Sequence, residues 1–312
     1  MKRVVMAVLG LWSVPSLHAA DVFPSRPIRW IVPSPPGGGT DAVSRIMAPR
    51  LVDLWKQQIV IDNRGGVQGS LGTALAAKSA PDGYTIVFAY SGPVAVNPHL
   101  YREVGYDTLK DLSAITRYTQ QPMIMTAHAS LPVSTLKELA AHARQNPGRV
   151  TFASSASLQH LGGELFKLAA GVNMTHVPYK GAGPAVLDLL GGNINTMISN
   201  PTSVVPHIKS GKLRPLGVMG DTRIEALREV PTAVESGFKE FANVIEWYGM
   251  LAPAATPRPI IHQLNSALTR VLTMPDVQER IRALGMAPSP STPEEFDRQI
   301  DRKSTRLNSS HT

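Results

Sequence analysis

The 312-residue sequence contains no cysteine, which excludes disulfides and a lipid anchor built on a cysteine. It also lacks GxSxG, HExxH and P-loop motifs. Its nine histidines include no pair at ligand spacing beside an acid. Neither a metal centre nor a catalytic residue set is therefore expected, and His99, His160, His176 and His207 read as structural or cleft-lining. No apolar run is long enough to serve as a mature membrane span. The formal net charge is +8, yet Lys and Arg form no basic run and have no interleaved aromatics, so nucleic acid is not an expected partner. A mild positive field would still assist capture of an anion. No cofactor is expected.

At the N-terminus, Lys2 and Arg3 precede the apolar run Val4 to Trp12 and then a small-residue region, Ser16 to Ala20. Residues 1–20 read as a secretory signal peptide cut near Ala20, although His18 stands where a small residue is preferred. The mature chain is expected to be exported, periplasmic and without a lipid anchor. Its length suits two lobes of roughly 100 to 200 residues each.

The chain is organised around Arg29 to Leu54. Arg29 to Val32 is β-prone, Gly37, Gly38 and Gly39 allow a reversal, and Thr40 or Asp41 is placed to cap a helix. Ala42, Val43, Ile46, Met47, Leu51 and Leu54 recur at helical spacing, and Pro49 predicts a kink. Such a loop is a common connector; its helix N-terminus, with about +0.5 of an elementary charge and several unpaired donors, also suits an anion without any Lys or Arg. A second unit repeats the design. Thr175 to Tyr179 is β-like, Lys180 to Gly183 is flexible, Pro184 stands where a helix begins, and Val186, Leu187 and Leu190 form an apolar face ending at Gly191 and Gly192. Two helix N-termini, one in each half, are thus placed to grip one small carboxylate.

Four segments carry a specific resemblance: Pro24 to Arg45 (PSRPIRWIVPSPPGGGTDAVSR), Asp62 to Thr85 (DNRGGVQGSLGTALAAKSAPDGYT), His176 to Gly192 (HVPYKGAGPAVLDLLGG) and Trp247 to Pro257 (WYGMLAPAATP). In order and spacing the chain resembles the Bug/TctC family, the periplasmic solute receptors of tripartite tricarboxylate transporters, from about Phe23 to about Ile300. The resemblance implies an α/β, two-lobed type II periplasmic-binding-protein fold with a hinge of two crossing strands. It also implies a small carboxylate ligand (a di- or tricarboxylate, an aromatic acid or an amino acid) and membrane transporter subunits as partners. In that family the ligand lies between the first glycine loop and the YKG loop. The candidate ligand-binding set is Ser34, Gly37, Gly38, Gly39, Thr40, Asp41, Ser91, Asn97, Ser154, Ser155, His160, Tyr179, Lys180, Gly181, Ala182, Gly183 and Asn200. A monomer without enzyme activity is expected.

Strand and helix patterns alternate along the chain, as in mixed α/β lobes. Strands are expected at Ile59 to Asp62 and Tyr84 to Tyr90, flanking a glycine-rich loop at Asn63 to Gly72 and a short helix at Thr73 to Lys78. Ser91 and Asn97 follow a strand end, where ligands gather in open sheets, although Ser91 is equally suited to capping a turn. The first crossing is expected near Gln120 to Met123. Helices follow at Leu136 to Arg144 and Leu158 to Ala170, the second with Leu161, Leu165, Phe166 and Leu168 as its buried face. Ser154, Ser155 and Ser157 precede it and are placed to cap it or meet a ligand. Later elements are strands at Ile194 to Ser199, Leu213 to Met219 and Ile245 to Leu251, and helices at Val204 to Ser210, Ile260 to Leu272 and Val277 to Leu284. Lobe one is assigned residues 21–122 and 225–300, and lobe two residues 123–224. A last helix starts at Thr292 to Glu295; residues 301–312 lose its apolar periodicity and read as a foreign or disordered tail.

One enzyme reading competes. Gly37, Gly39 and Ala42 satisfy GxGxxA after a strand, with Asp62 at about the offset of a ribose-binding acid, as in a dinucleotide-binding oxidoreductase. Against it, Pro35 and Pro36 stiffen the turn and Asp41 would repel a pyrophosphate.

Overall fold

The computed structural model describes residues 23–242 and 244–309; the signal peptide expected over residues 1–20 lies outside them. The first lobe opens with β1 (Ile28–Val32), α1 (Gly39–Trp55), β2 (Ile59–Asn63), α2 (Ser70–Ala77) and β3 (Thr85–Tyr90), then two single-turn helices, α3 (Asn97–Leu100) and α4 (Thr108–Asp111), and β4 (Leu112–Gln121). The second lobe comprises β5 (Met123–His128), α5 (Leu136–Gln145), β6 (Thr151–Ser154), α6 (Ser157–Ala170), β7 (Thr175–Pro178), α7 (Ala182–Leu190), β8 (Thr196–Ser199), α8 (Pro201–Lys209) and β9 (Leu213–Met219). The chain returns through β10 (Glu246–Pro253), α9 (Arg258–Leu272), α10 (Pro275–Ala283) and α11 (Pro293–Ser309).

Each lobe holds one five-stranded sheet, ordered β2-β1-β3-β10-β4 in the first and β7-β6-β8-β5-β9 in the second. In both, three strands run parallel and the fourth, β10 or β5, enters antiparallel. This is the two-lobed α/β architecture expected. The first crossing falls at Pro122, between β4 and β5; proline has no N–H with which to continue the ladder.

Apolar periodicity explains how the helices seat. In α9, Ile261, Leu264, Ala267, Leu268, Val271 and Leu272 are all buried, packing with Val43, Met47 and Leu51 of α1 over one face of the first sheet. Ala76 of α2 and Phe296 and Ile300 of α11 cover the other face around Trp247. Two further cores flank the second sheet: Leu136, Leu139 and Phe166 on one side, Ala185, Leu189, Val204 and Val205 on the other.

Four expectations need correction. In α6 the buried stripe is Gln159, Gly162, Gly163, Phe166 and Ala170, while Leu161 and Leu168 are exposed. A Cβ on Gly163 would run into the Phe152 ring, so the small residues let the helix approach the sheet and the leucines fall off that stripe. Leu187 of α7 is exposed for the same kind of reason, since Ala185, Val186 and Leu189 form the inner face. The return to lobe one comes later than residue 225: Leu227 and Val230 are buried in one core of lobe two, and Ala233 and Phe241 in the other. Finally, α11 continues past Ile300, to Ser309.

Candidate functional site

The two glycine loops meet. Gly38 lies so close to Ala182 that a Cβ on it would stand 3.8 Å from the alanine Cβ, and one on Gly181 would lie 2.7 Å from Pro35 Cδ. Between them the closed lobes enclose about 40 Å³, room for roughly three waters. Four helix N-termini abut this cavity. Gly38, Ala156, Gly181 and Asn200 are the N-cap residues of α1, α6, α7 and α8, all four are extended, and none of the four helices has a side-chain cap, whereas α5, elsewhere in lobe two, is capped by Thr135. Uncapped first-turn N–H groups keep their donors for something else. Among the described residues, no Asp or Glu lines the cavity, and Lys180 is the one cationic side chain in its wall. Tyr90 and Tyr248, also in the wall, are held neutral because burial pushes their phenols well above the usual range. The arrangement is suited to an anion and hostile to a cation.

Of the residues anticipated from sequence, Ser34, Gly38, Gly39, Thr40, Ser155, Lys180, Gly181, Ala182 and Asn200 line this space. Ser34 and Thr40 share a hydroxyl–hydroxyl hydrogen bond of 2.5 Å. Ser155 donates through both N–H and Oγ to Gln159 Oε1, at 2.9 Å each. Gly37, Asp41 and Gly183 stand behind the wall and shape it. Gly37 takes φ +82° and donates its N–H to Asp41 Oδ2 (3.0 Å), which also accepts from Arg45 Nε, while Oδ1 accepts from Asn63. Burial alone would raise the Asp41 carboxyl, but these hydrogen bonds and the Arg45 charge hold it below its usual value. Asp41 thus braces the loop from behind instead of facing the ligand space.

The other anticipated residues are placed elsewhere. Ser91 is buried, its N–H and Oγ both given to Glu246 Oε1. Asn97 joins the lobes: Nδ2 donates to Ser70 Oγ (2.8 Å) and Oδ1 meets the hydroxyl of Ser157 in lobe two. Ser154 bonds His176 Nε2 at 2.8 Å, and His160 stacks on that imidazole at 3.9 Å between ring centroids, so neither reaches the cavity. Burial, then the His160 charge, lowers the His176 pKa to about 4. Tyr179 turns its hydroxyl to Asp188 Oδ2 (2.6 Å), and burial first, then that carboxylate, pushes its phenol up to about 12.

Sequence reasoning missed Gln68, Gln159, Tyr90 and Tyr248, all in the wall. Gln68 sits in a left-handed stretch, with Val67 at φ 45° and Gln68 at φ 50° between positive-φ Gly66 and Gly69. Non-glycine residues adopt this region rarely, and often at functional sites. The turn aims Gln68 Oε1 at Ser157 Oγ, 2.5 Å away across the cleft. Glycines bracketing Val67 and Gln68 were the available signal. Nothing local marks the two tyrosines, which reach the cavity from β3 and β10.

The family model described as "Tripartite tricarboxylate transporter family receptor" matches residues 43–309. Protein BugT of Bordetella pertussis is 38% identical over 298 residues, spanning 93% of this chain and 91% of that protein. The chain belongs to the tripartite tricarboxylate transporter receptor family. Among solved structures, Rpa4515 of R. palustris with adipate superposes with a TM-score of 0.88 at 33% identity, covering 92% of this chain and 96% of that one. MatC from Rhodopseudomonas palustris with bound malate gives 0.86 at 29%, covering 91% and 98%. In this receptor the dinucleotide reading is not favoured. Asp62, which it would assign to a ribose, is held by Arg29 (2.5 Å) and Arg64 (2.8 Å), and the other lobe lies directly over the glycine loop.

Proposed function

We propose that this receptor is exported to the periplasm, captures a small carboxylate between its lobes, and delivers it as a non-catalytic monomer to the membrane subunits of a tripartite transporter. The observation that carries this reading is the convergence of four uncapped helix N-termini on a cavity that, among the described residues, no carboxylate lines. The malate and adipate held by its relatives are carboxylates of the corresponding kind. Removing a carboxylate from water costs several kcal/mol. Charge-assisted hydrogen bonds contribute about 1.5 to 3 kcal/mol each, so about four or five offset that cost and leave micromolar affinity, near −8 kcal/mol. The first-turn N–H groups of α1 and α7 supply such donors without any arginine. The enclosed space is narrow, so ligand enters an open form and closure follows.

A thermal-shift screen of dicarboxylates, tricarboxylates, aromatic acids and amino acids tests the reading, because a ligand that binds the folded state alone raises Tm by mass action. At least one small carboxylate should raise Tm, and NAD should not. A rise with NAD and with no carboxylate would overturn the receptor assignment.

A further inference from the structure

Asn200 is the N-cap residue of α8, a position where asparagine ordinarily turns its side-chain oxygen onto the N–H groups of the first turn. Here it forgoes that bond. Its Nδ2 instead donates across the cleft to Tyr248 Oη at 2.7 Å. The residue is 5% exposed, lines the cavity, and its Oδ1 is buried without a hydrogen-bond partner. A buried acceptor left unpaired is unfavourable unless something in the bound state supplies a donor. The wall around it offers the reverse chemistry, the donors of four helix starts and the Lys180 ammonium.

Resting on the carboxylate reading above, we propose that Asn200 Oδ1 selects the ligand: it accepts a hydrogen bond from a ligand hydroxyl, so the receptor prefers hydroxy-substituted carboxylates over their unsubstituted counterparts. A hydroxyl fits better than an ammonium group, because a cation here would face four helix N-termini with no carboxylate among the described lining residues to balance it. A site built around a hydrogen bond to a ligand hydroxyl discriminates strongly against the analogue lacking it, since its own polar group is then stranded.

The test is calorimetry on the full mature chain with matched acids that differ in one group: succinate, malate and aspartate; glutarate, 2-hydroxyglutarate and glutamate; benzoate and its hydroxybenzoates. Within whichever set binds, the hydroxy acid should bind about tenfold or more tighter than the unsubstituted acid. Asn200→Leu, which cuts the bridge to Tyr248 as well as removing Oδ1, should weaken both acids but the hydroxy acid more, so that the preference is lost. Tyr248→Phe cuts the bridge between lobes but keeps Oδ1, and should weaken both members equally with their ratio preserved. Equal binding within a matched set would overturn the proposal, and so would a preference for the amino member, which would mean that Oδ1 accepts from an ammonium group instead. This comparison needs only the unmutated chain, so it decides the matter even if a variant does not fold. If no acid in any set binds and the thermal-shift screen is also blank, the carboxylate reading itself fails, a result distinct from equal binding.

Discussion

Gly39 of lobe one and Thr202 of lobe two are so close that a Cβ on the glycine would lie 2.7 Å from the threonine Cβ. Gly39 is not among the residues with positive φ, so the backbone there tolerates alanine; only the closed cleft does not. Gly39→Ala should therefore fold with an unchanged Tm in the absence of ligand but fail to compact. Small-angle scattering with and without the bound acid reads this directly: the unmutated chain contracts and the variant does not. Full contraction of the variant would mean that the lobes tolerate the extra methyl.

Gly181 makes the corresponding approach from the other lobe, with Pro35. Gly181→Pro would also remove the N–H at the start of α7. It should abolish binding in calorimetry while circular dichroism stays unchanged, because the damage is confined to one loop.

Lys180 lines the cavity but is exposed, where a charge is screened and contributes little. If backbone donors carry recognition, Lys180→Ala should weaken carboxylate binding by less than about tenfold. Loss of binding in Lys180→Ala with normal binding in Gly181→Pro would move recognition in lobe two from the helix terminus to the lysine.

Ser157 in lobe two reaches both Gln68 and Asn97 in lobe one. Its hydroxyl holds the lobes together only when they are closed. Ser157→Ala should reduce ligand affinity about two- to tenfold, the worth of one neutral hydrogen bond. The ligand-free Tm should hardly move, since neither lobe's core loses a contact. A large fall in ligand-free Tm would make Ser157 a folding residue of α6 instead.

The lowered His176 pKa has a pH consequence. Its folded value, about 4, lies below the ordinary 6.5, so the unfolded chain takes up the proton first. The stability this histidine contributes is intact above about pH 6.5. It is lost progressively as pH falls towards 4. His160, Glu164 and Lys167 are the charged neighbours acting on it. Melting curves from pH 7 to pH 4 should fall more steeply for the unmutated chain than for His176→Gln, whose amide does not titrate; parallel curves would remove His176 from the acid response.

The sequence by itself determined the local elements and the direction of the chain at the two glycine loops. Apolar spacing marked α9 residue by residue, and glycines followed by helix-forming runs marked the starts of α1 and α7, because these depend on interactions within a few residues. Which side chains face the cavity was decided only when two sheets came together. Tyr90 and Tyr248 reach it from adjacent strands distant in sequence, and Gln68 enters through a left-handed turn. Asp41, Tyr179 and His160, plausible beside their loops, turn to Arg45, Asp188 and His176 instead. Burial likewise followed shape as well as apolarity: Gly162 and Gly163 pack inward where Leu161 and Leu168 stay outside, since a helix close to a sheet has room for hydrogen atoms and not for leucine. Local patterns fix where a backbone turns; the partner surface, supplied by residues far along the chain, fixes what each side chain meets.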